Sequence, residues 1–187
     1  MKKRLAVFAS GEGSNFEEIA RACIDGRLDA ELALMVCDRP AANVVQRAAR
    51  LGVESFVFNP KDYSSKAEYE AEIVRRMDAL GIDLVCLAGY MRIVSDVLLS
   101  AYQGRIINIH PSLLPAFRGA RAVEQAVEYG VKVYGITIHY VNSDLDAGQI
   151  IAQKAFEYDG DDPEEVHRLG QQIEHKLYID TIAKLLV

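Results

Sequence analysis

Leu5-Ala6-Val7-Phe8-Ala9-Ser10-Gly11-Glu12-Gly13-Ser14-Asn15 runs from an unbroken apolar stretch into two glycines set among small polar residues. An apolar run with no alternation is the pattern of a strand covered on both faces. A helical stretch to about Asp25 follows, so this loop joins a buried strand to a helix. Glycines let the backbone turn sharply and come close to a ligand, and a helix start offers unpaired N–H donors with partial positive charge. Phosphate is the natural guest of such a loop. It is not a Walker P-loop, because no Gly-Lys-Ser/Thr follows, and Phe16 stands where a dinucleotide fingerprint needs its third glycine. The plainer alternative is a tight turn with Ser14 or Asn15 capping the helix.

The strand–helix alternation continues along the chain. Strands are expected at 5–9, 32–37, 55–58, 83–88 and 105–109, with helices at 44–51 (Asn43 as cap), around Tyr69, Ile73, Met77 and Leu80, near 95–102, and at 122–129. Gly81 stops the third helix. Residues 59–65 and 110–121 read as loops. Two longer runs, 132–141 and 149–158, alternate partly and are joined by a polar loop, the signature of an antiparallel pair. Pro163 opens a last helix with Val166, Leu169, Ile173 and Leu177 along one stripe. The fold class is therefore α/β: a single domain over 1–187, doubly wound, with a mostly parallel sheet and an antiparallel edge. Open α/β sheets bind ligands beyond the carboxyl ends of their strands, so the loops at 10–15, 89–94 and 108–121 should converge.

Composition narrows the function. The 187 residues carry 21 Lys and Arg against 27 Asp and Glu, a net charge of −6, and half of them are apolar. That balance excludes whole-chain disorder and argues against a nucleic-acid partner, which needs a basic face. No apolar run approaches the roughly 18 residues of a membrane span. The apolar start at Leu5 is broken too early, at Ser10, to be a signal peptide. Cys23, Cys37 and Cys86 sit in apolar runs with no C-x-x-C pair, which reads as buried free thiols and a cytoplasmic setting. The four histidines show no zinc-like spacing with them, so no metal is expected.

Three further segments carry candidate chemistry. Asn108-Ile109-His110-Pro111-Ser112-Leu113-Leu114-Pro115 ends a strand, and Asn108 and His110, two apart, share a face. An amide donor beside an imidazole suits a developing oxyanion and a proton transfer; a histidine that merely caps the strand is the bland reading. Asn142-Ser143-Asp144-Leu145-Asp146-Ala147-Gly148 holds two aspartates, ordinarily solvated turn residues, either of which could orient His110. Gly89-Tyr90-Met91-Arg92-Ile93-Val94 could line an apolar pocket, or could be a loop whose Met91 and Ile93 are core. His175 reads as a surface residue.

Taken together, Ser10 to Asn15, Leu87-Ala88-Gly89-Tyr90-Met91-Arg92-Ile93, Asn108 to Pro115 and Asp146-Ala147-Gly148 resemble the folate-dependent formyltransferase family over nearly the whole chain. Ser-Leu-Leu-Pro is shared across that superfamily, while Gly-Ser-Asn after the first strand looks specific to the branch that acts on glycinamide ribonucleotide. The length agrees, since methionyl-tRNA formyltransferases look longer and formyltetrahydrofolate hydrolases carry an extra domain. The resemblance implies a formyltransferase fold with 10-formyltetrahydrofolate as formyl-donor co-substrate and no metal. Gly13, Ser14 and Asn15 would hold the ribotide phosphate, and Glu174 would contact the rest of that substrate. Lys66, Met91, Arg92, Ile93 and Val94, with Asn108, would meet the folate. Asn108, His110 and Asp146 would be the catalytic trio, Asp146 favouring the charged imidazole. The expected partners are these two small molecules, with no nucleic acid or membrane, in a monomer or homodimer. Gln149 and Arg118-Gly119 depart from the more usual family residues, and neither is expected to touch the trio. The chain stops at Val187, where relatives often add a hairpin.

Three alternatives stand beside this reading. A formyltetrahydrofolate hydrolase would use the same trio on water, but would have no use for the phosphate cradle. A dinucleotide-binding oxidoreductase could use Asp38 for a ribose, yet fails at Phe16 and leaves Asn108 and His110 unexplained. A nucleotide-binding module without turnover is the third.

Overall fold

The computed structural model describes residues 2–187. Seven strands form one sheet: β1 (Lys3–Phe8), β2 (Ala30–Cys37), β3 (Ser55–Val57), β4 (Leu84–Leu87), β5 (Ile106–His110), β6 (Val133–Tyr140) and β7 (Ile150–Glu157). Their order is β3-β2-β1-β4-β5-β6-β7, parallel through β5 and antiparallel across β5–β6 and β6–β7. The chain moves outward from β1 to β3 and then returns to the other side of β1 with β4. That reversal puts the topological switch point between β1 and β4, where a ligand crevice is expected.

The first strand shows why the run is unbroken. Leu5, Val7 and Ala9 pack into one core layer, with α1 (Ser14–Asp25), α2 (Asn43–Leu51) and α6 (Pro163–Leu185). Ala6 and Phe8 pack into the opposite layer, with α3 (Lys66–Leu80) and α4 (Asp96–Ala101). A strand buried on both faces has no polar side to alternate with. A smaller cluster joins α5 (Ala122–Tyr129) to β6 and α6 through Val123, Ala126, Tyr134 and Val166.

The elements fall where the periodicity puts them, with three differences. The loop before α3 contains a single 3-10 turn at Pro60–Asp62, in which Asn59 accepts from the Lys61 N–H. The first two strands both begin earlier than expected, because Lys3 and Arg4 of β1 pair with Ala30 and Glu31 of β2. The buried face of α6 is rotated from the Val166-Leu169-Ile173-Leu177 stripe. Its fully buried members include Val166, Gly170, Tyr178 and Ile182, while Leu169, Ile173 and Leu177 flank them. Tyr178 is wholly buried because its hydroxyl donates to the Leu87 carbonyl, 2.8 Å away, which a periodicity count of apolar residues does not register. Among the described residues no helix is long and apolar enough to cross a membrane.

Candidate active site

The glycine loop turns at Gly13, whose φ of 73° is left-handed and which stands at the start of α1 without any side-chain cap. Ser14 and Asn15 are therefore not caps; they form the first turn of the helix, and their side chains are held from α6. Gln171 donates to the Ser14 hydroxyl oxygen at 3.0 Å, and Asn15 Nδ2 donates to Glu174 Oε2 at 2.9 Å. The Ser14 proton is left free to donate outward, beside amides that have no acceptor within the helix. The loop is braced from behind by α2. The Val44 N–H donates to the Gly11 carbonyl at 3.0 Å, and a Cβ on Gly13 would stand 2.5 Å from Val44 Cγ2. Unpaired amides and a hydroxyl at a helix start are donors that suit an anion.

The segment after β4 supplies an apolar wall. Met91 and Ile93 are 64% and 61% exposed, which excludes the reading that they belong to the core. Val94 does belong to it: its side chain is 7% exposed and packs with the α3–α4 layer, so only its backbone can face a ligand here. Lys66, at the first turn of α3, donates to the Ile93 carbonyl. The segment is tied to the glycine loop, since Ser10 N–H donates to the Gly89 carbonyl at 3.0 Å and Met91 N–H to Ser10 Oγ at 2.9 Å.

Asn108 and His110 lie at the end of β5, next to β4 through the Leu87–Asn108 pairing. His110 is nearly enclosed, with Nδ1 3.4 Å from Asp146 Oδ2 and Nε2 2.8 Å from the Phe117 carbonyl. Both ring nitrogens thus face oxygens that only accept, and a ring carrying a proton on each can satisfy both. The two residues supplying those oxygens share an unusual backbone: Phe117 (φ 54°) and Asp146 (φ 49°) are left-handed without being glycine. Such conformations cost free energy and persist where the surroundings impose them, often at working sites. Asp146 stays ionised readily. The His139 ring, the Gly119 N–H at 2.8 Å and His110 hold its carboxyl below the ordinary aspartate range, against the opposing effect of burial.

The geometry brings Asn108, His110 and Asp146 together, and of the two aspartates it is Asp146 that faces His110. Asp144 is exposed, whereas the Asp146 side chain is 9% exposed and turned to the histidine. The Gly13–Asn15 loop and Glu174 also meet, and Glu174 shares the lining of a small cavity with Pro111, the residue after His110. Next to the Arg118 departure, Gly119, which keeps the usual family residue, aims its N–H at Asp146 from the tight turn after Phe117. His175, expected on the surface, is half-buried, with Nε2 enclosed and unpaired among the described residues. Asp38 is not free for a ribose; its side chain is fully buried and paired with Ser10 and Arg92.

Sequence reasoning missed His139. It pairs with Asn108 across β5–β6 and puts Nε2 3.2 Å from Asn108 Nδ2, while Nδ1 faces the Tyr140 carbonyl at 2.8 Å. With the Nδ1 proton directed at that carbonyl, Nε2 lies between the Asn108 amide and Asp146 Oδ1, 3.7 Å away, and a proton on it is shared with the carboxylate. Thr137 was missed as well. Buried in β6, it donates to the Ser112 carbonyl and accepts from Leu114 N–H and Gln153, pinning the loop after His110. The signal for both was the antiparallel pair itself, but finding them needs the register of β5 against β6, which periodicity does not supply.

Comparison with known proteins follows the same lines. The sequence pattern of the formyl transferase family matches residues 3–182. The chain is 51% identical over 185 residues to the phosphoribosylglycinamide formyltransferase of Bacillus subtilis (strain 168), covering 98% of this chain and 95% of that protein. It is 38% identical over 180 residues to the human trifunctional purine biosynthetic protein adenosine-3, covering 95% of this chain and 18% of that protein. Its structure superposes on that of glycinamide ribonucleotide transformylase 1 from Geobacillus kaustophilus with a TM-score of 0.97, at 50% identity and full coverage of both chains.

Proposed function

The chain belongs to the formyl transferase family and its activity is formyl transfer to glycinamide ribonucleotide in purine biosynthesis; we propose that 10-formyltetrahydrofolate is the donor and that Asn108, His110 and Asp146 carry the transfer. The observation that supports this is the meeting of an amide, an imidazole and an ionised carboxylate at the end of β5, beside β4 and β1, the strands that lead into the Met91–Ile93 wall and the anion loop. A flat, partly apolar heterocycle fits against two exposed apolar side chains with backbone groups beside them. A ribotide phosphate fits the amides of Gly13 to Asn15, with Glu174 near the rest of that substrate.

The chemistry then follows from charge. The ribotide amine attacks the formyl carbon, and the carbonyl π pair moves onto oxygen. Asn108 donates to that oxygen with the amide N–H that His139 leaves free, and the His110 Nε2–H turns to it from the Phe117 carbonyl, so the negative charge meets donors held at one strand end. Asp146 Oδ2 faces the other ring nitrogen of His110 and fixes the orientation of the ring. Breaking the bond from carbon to the folate nitrogen completes the transfer: the amine loses one proton and the leaving nitrogen gains one, relayed through water. Both substrates are small and soluble, and the expected setting is the cytoplasm.

The test is to supply 10-formyltetrahydrofolate and follow its deformylation with and without glycinamide ribonucleotide. Turnover is expected only with the ribotide. Deformylation at the same rate without it would make the protein a hydrolase that uses the same side chains on water.

A further inference from the structure

Beneath the site lies a polar cluster that the transfer chemistry does not use. The Asp38 carboxylate follows β2 and is completely buried. Its Oδ1 accepts from the Ser10 hydroxyl at 2.5 Å and its Oδ2 from Arg92 Nε at 2.8 Å. Ser10, also buried, closes the cluster onto the backbone of the 89–94 segment: its Oγ accepts from Met91 N–H and its N–H donates to the Gly89 carbonyl. Three strand ends, those of β1, β2 and β4, are therefore joined by one carboxylate and one hydroxyl. The Arg92 side chain is 43% exposed, so its charged end lies at the mouth of the crevice while its Nε is held from below.

A buried carboxylate is costly unless its oxygens are satisfied, and here both are satisfied by groups that lead to the same loop. The two ligand loops are joined at Ser10, but Gly11–Asn15 have a further brace of their own, Val44, through the Gly11 carbonyl and the close packing at Gly13, while the 89–94 segment has Asp38. We propose that Asp38 and Ser10 are positioning residues that hold the Gly89–Val94 segment in its folate-receiving conformation, and that they act on the donor subsite without acting on the ribotide subsite. This rests on the functional reading above.

The substitutions follow from the hydrogen-bond roles. Asp38→Asn keeps the shape and can still accept from Ser10, but presents an NH₂ to Arg92, so the arginine is released. Ser10→Ala leaves the Arg92–Asp38 pair and removes the acceptor of the Met91 N–H; it is the milder change should Asp38→Asn fail to fold. Calorimetric titration of the whole protein with tetrahydrofolate and, separately, with glycinamide ribonucleotide reads the two subsites. A wild-type protein that binds the ribotide but not tetrahydrofolate would overturn the functional reading itself, before any variant is made. With wild type binding both, each folded variant is expected to weaken tetrahydrofolate about tenfold, the loss typical of a hydrogen bond to a charged or buried group. Ribotide affinity should move less than about twofold, and kcat at saturating donor less than about threefold. Unchanged tetrahydrofolate affinity in a folded variant would overturn the proposal. So would equal losses for both ligands, which would mark the cluster as general scaffolding.

Discussion

Residues 11–15 and the histidine cluster meet in one crevice, yet they are built in opposite ways. The loop proposed to hold the anion is a run of neighbours that offers backbone amides, placed by one left-handed glycine and one helix start. The cluster is assembled from β5, its antiparallel neighbour β6, the turn beyond β6 and the loop after His110, and its function resides in side chains. A backbone site tolerates change in its side chains but not in its φ angles. A side-chain site fails when any one partner is removed. The first should govern binding, and the second should govern the chemical step.

His110→Ala tests that division most severely. It should lower kcat by at least about a hundredfold, the usual contribution of a general acid or an oxyanion partner. KM for either substrate should move less than about threefold. A comparable rise in the ribotide KM would mean that the two regions are not separable.

Asp146→Asn comes next. It should lower kcat about tenfold or more at unchanged KM, while Asp144→Asn, in the solvated part of the turn, should stay within about twofold of wild type. The same substitution has a consequence for stability. The Asp146 carboxyl is depressed in the folded state, by His139 first and then by Gly119 N–H and His110. Its contribution is therefore complete above the unfolded aspartate value of about 3.9 and is lost as pH falls through the lower folded value. Thermal unfolding followed between pH 7 and pH 3 should show wild type losing its advantage over Asp146→Asn in the acid range. A constant difference across that range would show that the carboxylate is not held as the structure places it.

Gly13→Val should act on the other region, raising the ribotide KM about tenfold and lowering Tm, with the donor KM unchanged. The structure gives the reason: the branched side chain meets Val44 and is forced into a left-handed φ, so the loop is displaced before any ligand arrives. Adding Val44→Ala sharpens the point. Partial recovery of ribotide binding in the double variant would assign the damage to the clash; no recovery would assign it to backbone strain.

The smallest effect is expected from Ser14→Ala, about a threefold rise in the ribotide KM, since the amides remain in place. A larger loss than that of Gly13→Val would make the loop a side-chain site and erase the contrast.

The uneven legibility of the two regions in the sequence has the same origin. Gly11, Gly13, Ser14 and Asn15 could be placed at a strand–helix junction because their structure is local: an apolar run, a turn and a helix start are all short-range patterns. Asn108 and His110 could be put on one face for the same reason, since strand alternation is a property of neighbours. His139 could not be joined to them, because its partner depends on the register between β5 and β6. The choice between Asp144 and Asp146 depended on how the turn packs back toward His110. The Gly119 contact is the same case, for its N–H reaches Asp146 only after the loop has closed.

The sequence by itself therefore determined the doubly wound α/β sheet, the order of its elements and the strand ends at which ligands would gather. All of these follow from hydrophobic periodicity and turn chemistry, which act over a few residues. The tertiary structure alone decided that Asp38 would be buried as an anchor and not offered to a ribose, that Val94 would turn into the core while Met91 and Ile93 stayed outside, and which carboxylate would face the histidine. Those outcomes rest on desolvation and on hydrogen bonds between segments distant in the chain. Such contacts exist only once the layers have packed, and no local pattern encodes them.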